Sequence, residues 1–323
     1  MSYLHDPIKL HRVRPSIRRE QGVVIVLALF MVALVAAIAY IMMMRLQRDT
    51  ERTMLILRDT QAEFYAQGSI VWAIDVLQKN LDKQKPNQRV DIVPIQSPVN
   101  VVNGYQISSV IYDMQGRFNL NSLDQPETYA NFRRLIRAVV PNIAEDKAQE
   151  IARAVGDWIS SARSDQTEFN RYYLGLPLPY RAAHRLMLSS SELRLVKGMT
   201  PALFAALQPY VVALPYGTSM NIQSAPAPVL LTLSPNMTLD AAKNLQDLLQ
   251  RSPVTSKEAL TNLDMIRNLN ISTDKLTITS SYFLVETVVS IEKQRILLYT
   301  LLERTLKNNR ATLRIVWQSK GIW

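Results

Sequence analysis

Twenty-two consecutive residues, Val23 to Met44 (VVIVLALFMVALVAAIAYIMMM), carry no charge. As a helix rising 1.5 Å per residue they span about 33 Å, close to the hydrocarbon thickness of a bilayer. A buried helix of a water-soluble protein seldom needs so long an apolar run. The segment ahead of it is polar and basic, with Lys9, Arg12, Arg14, Arg18 and Arg19 against Asp6 and Glu20. That order suits a membrane anchor or a secretory signal peptide, and Ala37-Ile38-Ala39 supplies an A-x-A cleavage site for the second. The apolar run before that site exceeds the roughly 7–15 residues of a signal peptide and continues beyond it, which favours the anchor.

No proline lies between Pro15 and Pro86, and Gly22 and Gly68 are the only glycines in that interval. Residues 45–83 are rich in Arg, Leu, Gln, Glu, Met and Ala, all good helix formers. The sequence therefore predicts one helix from about 23 to 83, roughly 90 Å long, apolar all round at first and amphipathic later. The apolar face of the later part is read from Phe64, Val71, Ile74, Leu77 and Leu81, spaced 7, 3, 3 and 4.

Pro86, Pro94 and Pro98 end that helix. Tyr105 to Asp113 alternates as a strand, with Tyr105, Ile107 and Ile111 on one face, and Met114-Gln115-Gly116 reads as a turn. Two segments echo each other: Phe118-Asn119-Leu120-Asn121-Ser122 and Met220-Asn221-Ile222-Gln223-Ser224. Each predicts an extended stretch whose Asn and Ser cap the helix that follows. From 126 to about 270 the pattern is helical. Phe132, Leu135, Ile136 and Val139 form one apolar face, and Ala148, Ile151, Val155, Trp158 and Ile159 another. Leu193, Val196, Leu203, Ala206 and Leu207 continue the pattern, followed by Ala241, Leu245, Leu248 and Leu249. Strands return with Phe283, Val285, Val289 and Ile291, then with Leu313, Ile315 and Trp317 alternating with Thr312, Arg314 and Gln318. Residues 295–306 are apolar on both parities, so strand and helix stay unresolved there. The class expected is α+β, with a helical block set into a sheet.

Composition removes several functions. The nine glycines lie at least twelve positions apart, so no GxGxxG or P-loop cradle exists. Cysteine is absent, which excludes cysteine nucleophiles and cysteine-ligated zinc. His184 is the only histidine beyond the leader and sits in RAAHRL between arginines, reading as a surface residue rather than a base, so no enzyme is expected. The formal charge of +10 raises nucleic acid as a partner. Leu193 to Leu207 is similar to a helix-hairpin-helix, which makes a membrane-anchored DNA-binding protein the alternative reading. The hairpin reads Gly198-Met199-Thr200, without the second glycine, and the positive charge is diffuse. No nucleic acid is therefore expected.

The basic leader Arg18-Arg19-Glu20-Gln21-Gly22, followed by Val23 and the apolar run, resembles type IV pilin-like precursors. The resemblance implies cleavage by a prepilin peptidase between Gly22 and Val23 and methylation of the new N-terminus. Val23 stands where phenylalanine or methionine is most common in pilins, and Leu27 occupies the fifth mature position, where most carry glutamate. Arg45, Arg48, Arg52 and Arg58 follow the span closely, so the charge bias places the leader in the cytoplasm only narrowly.

Further stretches resemble the protein K family of minor pseudopilins of the general (type II) secretion pathway. They are Asp113-Met114-Gln115-Gly116-Arg117-Phe118-Asn119-Leu120-Asn121, Asp157-Trp158-Ile159, Pro179-Tyr180-Arg181-Ala182-Ala183, Ser191-Glu192-Leu193-Arg194-Leu195-Val196-Lys197-Gly198-Met199 and Ser281-Tyr282-Phe283, in family order. The resemblance implies a pseudopilin fold: a long N-terminal transmembrane and amphipathic helix on an antiparallel sheet, with a large inserted α-helical domain. The expected parts are a leader (1–22), a transmembrane helix (23–44), the helix and first strands (45–122), the inserted domain (123–275) and the last strands (276–323). It implies a single pass of the bacterial inner membrane, with the C-terminal domain periplasmic. It further implies a place at the pseudopilus tip with minor pseudopilins I, J and H, consistent with Leu27. Relatives can also carry calcium after an Asp-Trp segment, for which Asp157, Asp165 and Glu168 are candidates, with Asn170 a further oxygen donor; Ser160 stands where many have another aspartate.

Overall fold

The computed structural model describes residues 20–82, 94–123, 125, 128–161, 167–292, 294–307 and 310–321. The chain divides into two units, residues 1–60 and 61–323. In the first, the described residues are helix alone: α1 (Glu20–Asp82) begins there and its later part belongs to the second unit. Throughout Val23 to Leu57 every residue of α1 is exposed.

The second unit is built on one antiparallel sheet. Its strands are β1 (Ile95–Gln96), β2 (Asn100–Val102) and β3 (Tyr105–Asp113), then β8 (Tyr282–Ile291), β9 (Gln294–Lys307) and β10 (Arg310–Lys320). The order runs β1-β3-β8-β9-β10, with β2 also paired to β3. Asn103 and Gly104 both take positive φ, as a tight two-residue hairpin turn requires, and join β2 to β3. The chain leaves the sheet after Asp113 and returns at Tyr282.

Between those points lie β4 (Phe118–Asn119), α2 (Tyr129–Val139), α3 (Glu145–Ile159), α4 (Glu168–Leu174), α5 (Pro201–Leu207) and β5 (Val211–Val212). They are followed by β6 (Met220–Asn221), α6 (Ala227–Leu230), α7 (Leu239–Arg251), α8 (Lys257–Thr261), α9 (Asp264–Asn268) and β7 (Leu276–Thr277). β4 pairs with β5 and β6 with β7, both parallel. These helices share one core, in which Phe132, Leu135, Ile136, Ile151, Val155, Tyr173, Leu193 and Leu245 are fully buried. Thr167, Thr200, Thr238 and Ser256 each cap a helix, their side-chain oxygens accepting a backbone N–H of the first turn.

The helical side of the sheet is packed differently from the expectation. Ala62, Ala66, Ile70, Ala73 and Leu77 of α1 form the face set against Ile107, Ile111, Phe283, Val285, Val289, Leu298 and Leu302. Phe64 and Val71, read from the sequence as part of that face, are 72% and 69% exposed and lie on the opposite side of the helix. Ile74 is half-buried and Leu77 buried, as expected. Size misled the reading: three alanines let the helix approach the sheet, whose own large side chains fill the space between.

The other side of the sheet is covered too. Tyr282, Leu284 and Leu301 pack with Met114, Val212 and Leu214. That explains why residues 295–306 are apolar on both parities: β9 is a strand buried on both faces. In β10 the pairing register shifts between Ile315 and Trp317. Leu313 packs on the α1 side and Trp317 on the other, so the strict alternation expected from the sequence breaks at that bulge.

Candidate functional site

Gly22, Val23 and Leu27 all lie within α1. A Cβ built on Gly22 meets nothing within 4 Å, and Val23 and Leu27 are 69% and 57% exposed. Among the described residues, nothing packs against this segment.

Further along α1, within the second unit, Gln61, Phe64, Gly68, Val71 and Asp75 are exposed and spaced 3, 4, 3 and 4. That spacing puts them on one face of the helix, turned away from the sheet. Gly68 has nothing within 4 Å of its would-be Cβ, so a partner backbone can come close there. Burying Phe64 and Val71 would supply about 1.5–3 kcal/mol each.

The motif from Asp113 to Asn121 forms the junction of sheet and helical block. Asp113 Oδ1 accepts the backbone N–H of Gln115 at 2.8 Å. Its Oδ2 accepts Asn221 Nδ2 at 2.9 Å, the Ser280 hydroxyl at 2.6 Å and the Ser224 hydroxyl. Gln115 Nε2 donates to the Ser219 carbonyl at 2.7 Å, while its Oε1 accepts the N–H groups of Ser281 and Tyr282. The echoed segments are structurally alike. Asn119 Oδ1 accepts the Asn121 N–H at 3.2 Å, and Asn221 Oδ1 accepts the Gln223 N–H at 3.1 Å. Each Asn thus caps its own turn. Neither serine caps the next helix as expected: the Ser122 hydroxyl turns back to the Asn119 carbonyl, and the Ser224 hydroxyl donates to Asp113. Asn121 joins two distant strands of chain, donating to Met187 and Leu214 carbonyls and accepting the Met187 N–H.

Trp158, Tyr173 and Tyr180 form an aromatic cluster, with Tyr173 stacked on Tyr180 at 5.3 Å and edge-on to Trp158 at 5.5 Å. Burial pushes the Tyr173 phenol well up. Glu192 ties the cluster to the next motif by accepting Trp158 Nε1 at 3.3 Å and the Leu188 N–H at 2.8 Å. Gly198 has φ +84°, and a Cβ there would fall 2.9 Å from Ile151 Cγ1. The hairpin that is similar to a DNA-binding unit is therefore packed directly on α3, and its Lys197 pairs with Glu150 at 3.0 Å and Glu168 at 3.2 Å.

Of the calcium candidates, Asp157 lies in the last turn of α3, its Oδ2 buried and, among the described residues, without a hydrogen-bond partner. Burial pushes its carboxyl up, against the pull of His184 and a hydrogen bond from Thr167. An orphaned buried carboxylate oxygen suits a cation. Glu168 is turned to Lys197, and Asp165 lies outside the described residues. Among the described residues, no three His, Asp or Glu side chains converge. His184 is not the surface residue expected: it is half-buried, with a positive φ of 47°, its backbone N–H on the Trp158 carbonyl and its Nε2 buried without a partner.

A family model described as type II secretion system (T2SS), protein K matches residues 116–216. A type II secretion system protein K from Pseudomonas aeruginosa is 29% identical over 305 residues, covering 89% of this chain and 90% of that one. One from Aeromonas hydrophila is 28% identical over 333 residues, covering 93% and 98%. Over most of its length the chain is similar to proteins named type II secretion system protein K. A chain in the crystal structure of the GspK-GspI-GspJ complex from enterotoxigenic Escherichia coli shares the fold, with a TM-score of 0.67 at 24% identity over 84% of this chain and 99% of that chain. The region matched by the protein K family model contains Gly116, Asn121, Trp158, Tyr180 and Glu192, so the motifs that carried the resemblance act here as joints of the fold. Sequence reasoning missed the outer face of Phe64, Gly68 and Val71. The signal was available, since the alanines at 62, 66 and 73 mark the opposite side.

Proposed function

We propose that this chain is a minor pseudopilin of the type II secretion system, a structural subunit rather than an enzyme. It is made as a precursor, cut between Gly22 and Val23 and anchored in the inner membrane by Val23 to Met44, with the second unit periplasmic. It joins proteins I, J and H at the tip of the pseudopilus and there serves protein export. The observation that carries this reading is the continuity of α1: an uncharged span runs into a helix with one face on the sheet and another, bearing Phe64 and Val71, facing out. The solved structure named above is of a complex of GspK with GspI and GspJ, and subunits of that kind are the occupants assigned to this face.

Leu27 agrees with a terminal position. A carboxylate at the fifth mature residue is useful where a neighbouring amine pairs with it, and a buried carboxylate without a partner is strongly destabilising. A subunit with no neighbour above gains from leucine. The test is pairwise cross-linking from cysteines placed at Phe64 and Val71, with proteins I and J co-expressed. Cross-links to either protein support the reading. Cross-links only to further copies of this chain along a filament would overturn it.

Calcium belongs to the same reading. Asp157 would hold the ion with Asp165 and Glu168, the last on release from Lys197, and the ion would tie the end of α3 to the start of α4. Added calcium should then raise the melting temperature by mass action, an effect lost in Asp157→Asn. An unchanged melting curve in millimolar calcium would remove the ion from the account.

A further inference from the structure

Beyond the uncharged segment, the first three arginines lie on one side of α1. Arg45, Arg48 and Arg52 stand at i, i+3 and i+7, within about 60° of arc. All three are exposed, and among the described residues none is ion-paired. Asp49 and Glu51 flank the stripe on either side, leaving one net positive charge over residues 45–52. Arg58, further on, is already engaged by the chain itself.

Their depth is set by helix geometry. With the span ending at Met44, Arg48 lies about 5 Å beyond Arg45 along the axis and Arg52 about 11 Å beyond it. The polar layer on each side of a bilayer is about 5–8 Å thick. Arg45 and Arg48 therefore stand within the headgroup layer, and Arg52 reaches it with its long side chain. A guanidinium presents a planar fork that matches phosphate oxygens and stays charged at any working pH.

We infer that Arg45, Arg48 and Arg52 form a docking surface for the phosphate headgroups of anionic phospholipids in the leaflet where the span ends. This rests on reading α1 as an anchor. The surface fixes the depth of the helix and enriches anionic lipid around it. It also resists withdrawal of the subunit from the bilayer, because three charge-assisted contacts must be released before the helix can move.

The test uses the full chain reconstituted in phosphatidylcholine vesicles that contain spin-labelled phosphatidylglycerol or, separately, spin-labelled phosphatidylcholine. The motionally restricted lipid beside the helix is measured for each. The native chain should prefer phosphatidylglycerol by more than about fivefold, the value for one engaged arginine. The triple variant Arg45→Gln, Arg48→Gln, Arg52→Gln should show no preference, while Arg58→Gln keeps the native value and the triple Lys variant retains part of it. Glutamine is a good helix former, so α1 persists in these variants. A native preference in the triple Gln variant would overturn the inference, as would an equal loss in Arg58→Gln. Inorganic phosphate and chloride at equal ionic strength should weaken the preference alike. A loss caused by phosphate alone would mean a free-anion site and overturn lipid docking. Failure of the chain to insert at all would instead count against the anchor reading, so the two outcomes are distinguishable.

Discussion

A Cβ built on Gly116 would lie 2.5 Å from the carbonyl oxygen of Ser224 and 2.6 Å from its hydroxyl. The turn that leads into the first echoed segment meets the end of the second at this point, beside the buried Asp113 carboxylate. Gly116→Ala must therefore push the backbone of one segment off the other. A loss of about 1–3 kcal/mol is expected, read as a lower denaturant midpoint with unchanged slope. Adding Ser224→Gly should not restore stability, because the carbonyl remains. An unshifted midpoint in Gly116→Ala would mean that the junction yields freely.

The two sides of α1 should respond oppositely to substitution. Ala66 is 1% exposed against the sheet, so Ala66→Leu overpacks that layer and should destabilise by about 1–3 kcal/mol. Phe64→Ser and Val71→Ser should leave stability within about 0.5 kcal/mol, since both side chains are exposed. With the cross-linking cysteines moved to Gln61 and Asp75, the same two changes should abolish cross-linking to partner subunits. A large stability loss in Phe64→Ser would place that side chain in the core after all.

Processing can be separated from folding at residue 22. With no neighbour near its would-be Cβ, Gly22→Leu should leave helix content and melting unchanged by circular dichroism. It should nonetheless block cleavage, because a peptidase cleft that takes the backbone closely has no room for the side chain. N-terminal sequencing of the native protein should begin at Val23. A start at Tyr40 would mean secretory cleavage, and a start at Met1 a plain anchor.

Acid should weaken the sheet through Glu303. The Tyr282 hydroxyl donates to Glu303 at 2.7 Å and Arg314 pairs with it, which holds the carboxyl below the usual range, while burial pulls the other way. A group with a lowered folded-state pKa contributes stability above its unfolded value and loses it as pH falls through the folded one. The loss should appear on the acid side of the usual carboxylate range and be reduced in Glu303→Gln. Burial and the nearby carboxylate push the Tyr282 phenol up to about 12, so the donor keeps its proton through neutral pH. Identical acid profiles for the two proteins would assign the decline to other groups.

Much of this architecture could be read from the residues. α1 and β3 fall where the uncharged run, the missing prolines and the alternation of Tyr105 to Asp113 put them. α2, α3, α5 and α7 follow their periodic apolar faces. Three features were hidden for physical reasons. The buried face of α1 is made of alanines, which pattern reading weighs lightly, while Phe64 and Val71 drew attention to the wrong side. A single bulge turns Trp317 to the opposite face from Leu313, and no composition signal marks it. The partners of Asp113 lie more than 100 positions away in Asn221, Ser224 and Ser280, so the motif was legible as a pattern but not as a joint.

Asp113 and Phe283 are paired neighbours on adjacent strands, although 169 residues lie between them in the sequence. The helical block therefore occupies the position of a hairpin turn, which elsewhere two residues such as Asn-Gly would fill. Removing the block would uncover the face of Tyr282, Leu284 and Leu301 and leave Asp113 without Asn221 and Ser224. The block can lengthen, shorten or change its surface while the helix and sheet that carry it stay the same. Variation in what the subunit presents and constancy in how it is anchored are thus written in different stretches of one chain.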